Sequence, residues 1–106
     1  MKAIQAGVIV ACSFVSAPGA AQTVGDVAVG RAMAEIHCAR CHAIGRSGAS
    51  PLPIAPPFRD LHTRYPVESL QEALAEGVVT GHPDMPEFRF TPNEIDSLIA
   101  FLKSLE

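Results

Sequence analysis

Cys38-Ala39-Arg40-Cys41-His42 is the stretch of this chain in which residue type and spacing can do chemistry. Two thiols separated by two residues, with histidine directly after the second, form the C-x-x-C-H pattern of c-type haem attachment. The chemistry sets the spacing. On one helical turn, two thiols so placed reach the two vinyl groups of one porphyrin, and the next residue carries an imidazole to the iron. Cys38 and Cys41 are therefore the expected thioether positions and His42 the expected proximal ligand. Three other chemistries use the same residue types. Structural zinc takes about four protein ligands, commonly from a second Cys or His pair, and no second pair is present. A redox dithiol belongs beside a βαβ pattern, whereas the flanks here read as helix and proline-rich loop. A disulfide between Cys38 and Cys41 would close a very short, strained loop with little entropic effect.

The sixth iron position decides what such a haem does. A methionine thioether there favours Fe(II) and raises the reduction potential, whereas an open position admits an exogenous ligand. Apart from Met1, the methionines are Met33 and Met85. Met33 lies on the segment leading into the attachment motif and approaches from the proximal side. Met85 lies in Gly81-His82-Pro83-Asp84-Met85-Pro86, far enough beyond His42 for the chain to cross the haem. Met85 is the expected sixth ligand, the plain alternative being a methionine that fills a packing gap. His82, on the same loop, competes because imidazole is the stronger ligand for Fe(III), and a switch to His82 at alkaline pH is a further expectation. His37 and His62 read as surface or core histidines. Arg59, Arg64 and Tyr65 are candidates to hold haem propionates, arginine pairing a carboxylate through two parallel hydrogen bonds.

The amino-terminal segment points to export. One positive charge at Lys2, an apolar run from Ala3 to Val15 and the small group Ala17-Pro18-Gly19-Ala20-Ala21 are the parts of a secretory signal peptide. The expected division is a signal over residues 1–21, cleaved after Ala21 or one residue earlier, and a single domain over 22–106, located in the periplasm. An uncleaved membrane anchor is the alternative, but Gln5 and Pro18-Gly19 make a poor span. Ile9-Val10-Ala11-Cys12 looks like a lipidation site, yet the apolar stretch before it is very short. Removal of the signal takes Cys12 with it, leaving no thiol besides the two of the motif for a disulfide.

Composition explains why such a chain would need a cofactor. It has 106 residues, no Trp, one Tyr and five Phe, so a single small domain must fold around few large apolar side chains. A haem supplies the missing bulk. The net charge of −3 argues against nucleic acid as a partner, and the acidic residues are spread along the chain as a solvated surface would be.

The elements that must position the motif read as helices joined by loops. From about Asp26 to Cys38, Val27, Gly30, Met33, Ala34 and His37 recur at offsets of three and four, one helical face. Gly30 in mid-pattern suggests close approach of another helix. Residues 45–57, rich in proline and glycine, predict a loop under the haem. Pro66 to Ala75 predicts a second helix with Pro66 at its first position, Val67, Leu70 and Leu74 on one face, and Gly77 just past its end. Thr91-Pro92-Asn93-Glu94 predicts a capping box, opening a last helix with Ile95, Leu98, Ile99, Leu102 and Leu105 as its apolar stripe. No alternating strand pattern of useful length is present.

The run Gly25-Asp26-Val27 through Gly30 to the C-x-x-C-H motif, with Leu98-Ile99-Ala100-Phe101-Leu102-Lys103, resembles a class I, monohaem cytochrome c of the small bacterial periplasmic type. The resemblance implies an all-α cytochrome c fold: three to four helices and proline-rich loops wrapped around one haem c, covalently bound through Cys38 and Cys41. It implies that the first and last helices cross at Gly30 and Phe101. It also implies that Ala55-Pro56-Pro57-Phe58 stands where the family has Gly-Pro-x-Leu, so that the Pro56 carbonyl receives the other ring proton of His42 and fixes its tautomer. The implied activity is single-electron transfer, not catalysis. Donors would be a dehydrogenase or quinol oxidase and acceptors a terminal oxidase or reductase, with no small-molecule substrate and a monomeric carrier. A small haem subunit docked on a periplasmic enzyme complex is one alternative, and a five-coordinate ligand-binding haem protein another. The family usually has an aromatic residue four positions after the helix glycine. This chain has Ala34 there, so Phe58 or Phe90 is expected to fill the gap unless packing on that side is looser.

Overall fold

Asp26 opens the helical part of the chain. In the computed structural model, which describes residues 2–15, 25–77 and 85–106, its carboxylate accepts the N–H of Ala28 at 2.8 Å and of Val29 at 3.2 Å. Two of the donors that a helix start leaves open are thereby satisfied. Helix α1 follows as Val27–His37 and buries Gly30, Met33 and Ala34. The expected face is narrower than the sequence spacing predicts. Val27 is 45 % exposed and His37 is also exposed, because only the middle of the helix meets its partner.

That partner is α3, Pro92–Ser104. Thr91 Oγ1 accepts the Glu94 N–H while a Glu94 carboxylate oxygen accepts the Thr91 N–H at 2.9 Å, the reciprocal cap that the sequence predicts, with proline at the first helical position. Ile95, Leu98, Ile99, Phe101, Leu102 and the following Leu105 are all buried. At ~1.5–3 kcal/mol for each large side chain withdrawn from water, this stripe is the main apolar contribution to the fold. The two helices cross where Gly30 faces Ser97 and Phe101. A Cβ at Gly30 would collide with the Ser97 carbonyl and lie 2.8 Å from Phe101 Cβ. Ser97 is buried within the otherwise apolar stripe, and its Oγ accepts the Asp26 N–H at 3.1 Å, tying the start of α1 to α3.

Between them the chain turns tightly. Phe58–Thr63 and Val67–Ser69 are 3₁₀ turns, and α2 spans Leu70–Glu76. Pro66 therefore precedes a 3₁₀ turn and does not begin an α-helix. The tighter turn sends Val67 into the core at 1 % exposure while Pro66 stays outside. Gly77 ends α2 in the left-handed conformation, φ +74°, its N–H on the Ala73 carbonyl at 3.0 Å. Lys103 pairs with Glu68 across the 3₁₀ turn and α3; both are about half exposed, so the pair adds little. Arg46 Nη2 donates to the Ser104 carbonyl at 2.6 Å, satisfying an acceptor that the end of α3 leaves open. The described residues hold three α-helices, two 3₁₀ turns and no strand, the all-α architecture read from the sequence.

Residues 2–15 form neither helix nor strand, and Ile4, Val8, Ile9, Val10, Phe14 and Val15 are exposed. The expected cleavage region, Ala17 to Ala21, lies outside the described residues. No helix among those described is long and apolar enough to cross a membrane.

Two outcomes follow from this packing. Gly30→Ala forces the crossing apart and lowers the unfolding free energy by about 3 kcal/mol or more, as overpacking at a rigid contact does, measurable by chemical denaturation. Glu94 is held below its usual value of 4.5 chiefly by accepting the Thr91 N–H. A carboxylate depressed in the folded state stabilises above its unfolded pKa and ceases to do so as pH falls through the folded one. The difference in melting temperature between the wild-type protein and Glu94→Ala is therefore largest above pH 4.5 and narrows below it.

Candidate haem site

The residues of the C-x-x-C-H motif sit on the turn that ends α1. The Cys38 and Ala39 N–H groups both donate to the Ala34 carbonyl, each at 2.9 Å, and those of Cys41 and His42 both donate to the Cys38 carbonyl, at 3.1 and 3.0 Å. One continuous turn thus presents both thiols and the imidazole. The loop that follows is pinned back onto that turn. Ala43 N–H donates to Ser50 Oγ at 3.0 Å, Leu52 N–H to the Cys41 carbonyl at 3.1 Å, and Phe58 N–H to the Ala43 carbonyl at 2.9 Å. Pro56 and Pro57 carry no N–H, so the donors on either side of them fix the segment. The Ala55 N–H on the Leu52 carbonyl at 2.9 Å completes the anchoring.

This anchoring brings the Pro56 carbonyl to 2.7 Å from His42 Nδ1. A carbonyl can only accept, so Nδ1 carries the proton and the lone pair is left on Nε2. An imidazole so committed is a single tautomer in one orientation, as a metal ligand requires. The Phe58 ring lies 4.9 Å from that of His42, tilted by 42°, and supports it from the side.

Cys38, Cys41, His42 and Met85 all line one cavity of about 490 Å³. The turn after α1 supplies the first three; Met85 comes from the separate segment leading into α3. Much of the remaining wall is apolar: Leu52, Ile54, Phe58, Leu61, Leu70, Leu74, Phe88, Phe90, Leu98 and Leu102. Arg40, Arg64 and Tyr65 also face the cavity, and among the described residues no Asp or Glu does. Of the three propionate candidates, then, Arg64 and Tyr65 reach the wall. Arg59 does not, and its Nη1 is buried without a hydrogen-bond partner. Met33 is buried on α1 and absent from the wall. His82 lies outside the described residues. Ala34 is completely buried in the core cluster that also holds Phe58, with Phe90 packed against that cluster.

Cys38 and Cys41 are unpaired, and burial pushes the Cys38 thiol up to about 11, so at neutral pH it is a neutral thiol and not the thiolate of a redox dithiol. Among the described residues no three His, Cys, Asp or Glu side chains gather as a zinc site would gather them. A large apolar cavity with two thiols and one fixed imidazole on a single turn fits a c-type haem, with Cys38 and Cys41 to hold the porphyrin and His42 to face the iron.

Sequence reading missed two residues here. His37 reads as an unremarkable histidine, yet it faces the cavity and packs against Phe88 and Phe90. Ser97 reads as a polar interruption of the α3 stripe, and only its position opposite Gly30 reveals its role.

No curated protein and no solved structure matches this chain. A family model does match, over residues 25–102, the span that runs from the start of α1 through the attachment turn and the Met85 segment into α3. Its description is cytochrome C oxidase, cbb3-type, subunit III, a c-type cytochrome domain whose haem transfers electrons, and this chain belongs to that family.

Proposed function

We propose that the chain is a one-electron carrier holding a single haem c, attached through Cys38 and Cys41 and ligated by His42 and Met85. The observation that carries this reading is that these four side chains line the same apolar cavity, with the His42 ring proton already committed to the Pro56 carbonyl. When bound, the haem supplies a one-electron iron couple whose potential depends on axial ligands, burial and hydrogen bonding. The protein's own residues set those conditions. The Pro56 carbonyl makes the His42 imidazole more basic by drawing on its ring proton. Met85 would offer the iron a soft sulfur. Phe58, Leu61, Leu98 and Leu102 keep water from the cavity floor, and Arg64 and Tyr65 offer donors for carboxylates at its wall. Were His42 and Met85 both to hold the iron, no coordination position would be left for a substrate, which favours electron transfer without catalysis.

Residues 1–21 act as an export signal and the working domain begins near residue 22 in the periplasm. This is supported by the polarity pattern of the leader and by the exposure of its apolar side chains. The partners are redox proteins. The whole chain is acidic, whereas the described cavity wall carries Arg40 and Arg64, so the charge around the cavity differs from that of the chain as a whole.

A second reading, a haem subunit docked on an oxidase, is favoured by the description of the matching family. Gel filtration of a native periplasmic extract separates the two: elution of the haem protein alone supports the free carrier, and co-elution with other subunits supports the docked form. The ligation itself is tested by the spectrum of the mature protein. The ferric form is expected to show the weak near-infrared sulfur-to-iron band, Met85→Ala to abolish it, and the reduced wild-type protein to resist carbon monoxide. Ready binding of carbon monoxide by the wild type would replace the carrier with a ligand-binding haem protein.

A further inference from the structure

Met85 belongs to a segment with no regular secondary structure of its own. Residues 85–91 form neither helix nor strand, so something outside the segment must hold Met85 at the cavity. One anchor is a backbone bond, Phe90 N–H to the Leu74 carbonyl of α2 at 3.0 Å. Another is aromatic. The His37 ring stands edge-on to Phe88 at 5.5 Å and 63°, and to Phe90 at 5.4 Å and 65°, while Phe88 and Phe90 stack on each other at 5.5 Å and 17°. Separations and angles of this kind are those at which ring quadrupoles attract. All three rings face the same cavity as Met85.

His37 is the last residue of α1 and directly precedes Cys38. It is therefore rigidly placed relative to the attachment turn, while Phe88 and Phe90 are close in the chain to Met85. The ring trio joins the wall that carries His42 to the wall that carries Met85. We propose that His37 is a positioning residue for the sixth iron ligand, clamping the Met85 segment against the attachment helix through Phe88 and Phe90. The clamp rests on Met85 being that ligand. It does not touch the iron; it lowers the frequency with which the segment swings away and leaves the axial position open.

Imidazole added to the ferric holoprotein reads this directly, because it binds only when Met85 has left. Loss of the two edge-on pairs in His37→Ala is expected to tighten the apparent imidazole affinity ~10-fold. His37→Phe restores an aromatic ring and returns the affinity toward the wild-type value. Phe88→Ala, which removes a different member of the trio, shifts it in the same direction as His37→Ala and stands in should that variant fail to mature. Arg46→Ala, which loosens the fold at the far end of α3, lowers the denaturation midpoint without moving the imidazole affinity. Unchanged imidazole affinity in both His37→Ala and Phe88→Ala, with the sulfur-to-iron band present in the wild type, overturns the clamp alone. Absence of that band from the wild type overturns the ligation reading and the clamp with it.

Discussion

Gly30 meets the Ser97 backbone with no side chain between them, and the position of the attachment turn depends on that contact. Helix α1 has a short buried stretch of Gly30, Met33 and Ala34, and its direction is set by how closely it crosses α3. Cys38, Cys41 and His42 follow at its C-terminal end, so a displaced crossing would displace both thiols and the imidazole together. The hydrogen bond from Asp26 N–H to Ser97 Oγ fixes α1 along the α3 axis as the glycine contact fixes it across. Depth and register are thus determined by one small residue and one buried hydroxyl, while the larger side chains of α3 supply the burial that holds the pair together.

The two sides of the cavity are built on different principles. The His42 side is defined by backbone hydrogen bonds: the turn closes on Ala34 and Cys38, the loop returns to Cys41 and Ala43, and the Pro56 carbonyl reaches Nδ1 within that frame. Such a frame leaves the imidazole one orientation. On the Met85 side the described anchors include a backbone bond, Phe90 N–H on the Leu74 carbonyl, and the packed rings of His37, Phe88 and Phe90.

Much of this was legible in the sequence, for reasons that differ by element. The attachment motif and the cap of α3 are local: spacing along one turn, or a hydroxyl and a carboxylate three residues apart, decides them. The apolar stripe of α3 is nearly as direct, since α1, α2 and both 3₁₀ turns pack against it and bury it along its length. Val27 and His37 carried the right spacing but not the burial, because a crossing helix covers only the length it crosses. Pro66 misled because proline suits the start of an α-helix and the approach to a 3₁₀ turn equally well, and the choice belongs to Val67 finding the core. Pro56 was reached through family resemblance and not from chemistry, for a carbonyl acceptor has no signature in residue type. The ring trio of His37, Phe88 and Phe90 joins residues some fifty positions apart, and nothing in the local pattern announces it.

Electron paramagnetic resonance of the matured ferric protein at neutral pH tests the central claim, that the chain itself fills both axial positions. Histidine and methionine together impose a strong ligand field, so a low-spin rhombic signal accounting for essentially all the iron is the predicted result. A dominant axial high-spin signal would mean that one position is open or held by water, and would contradict an electron carrier built on His42 and Met85.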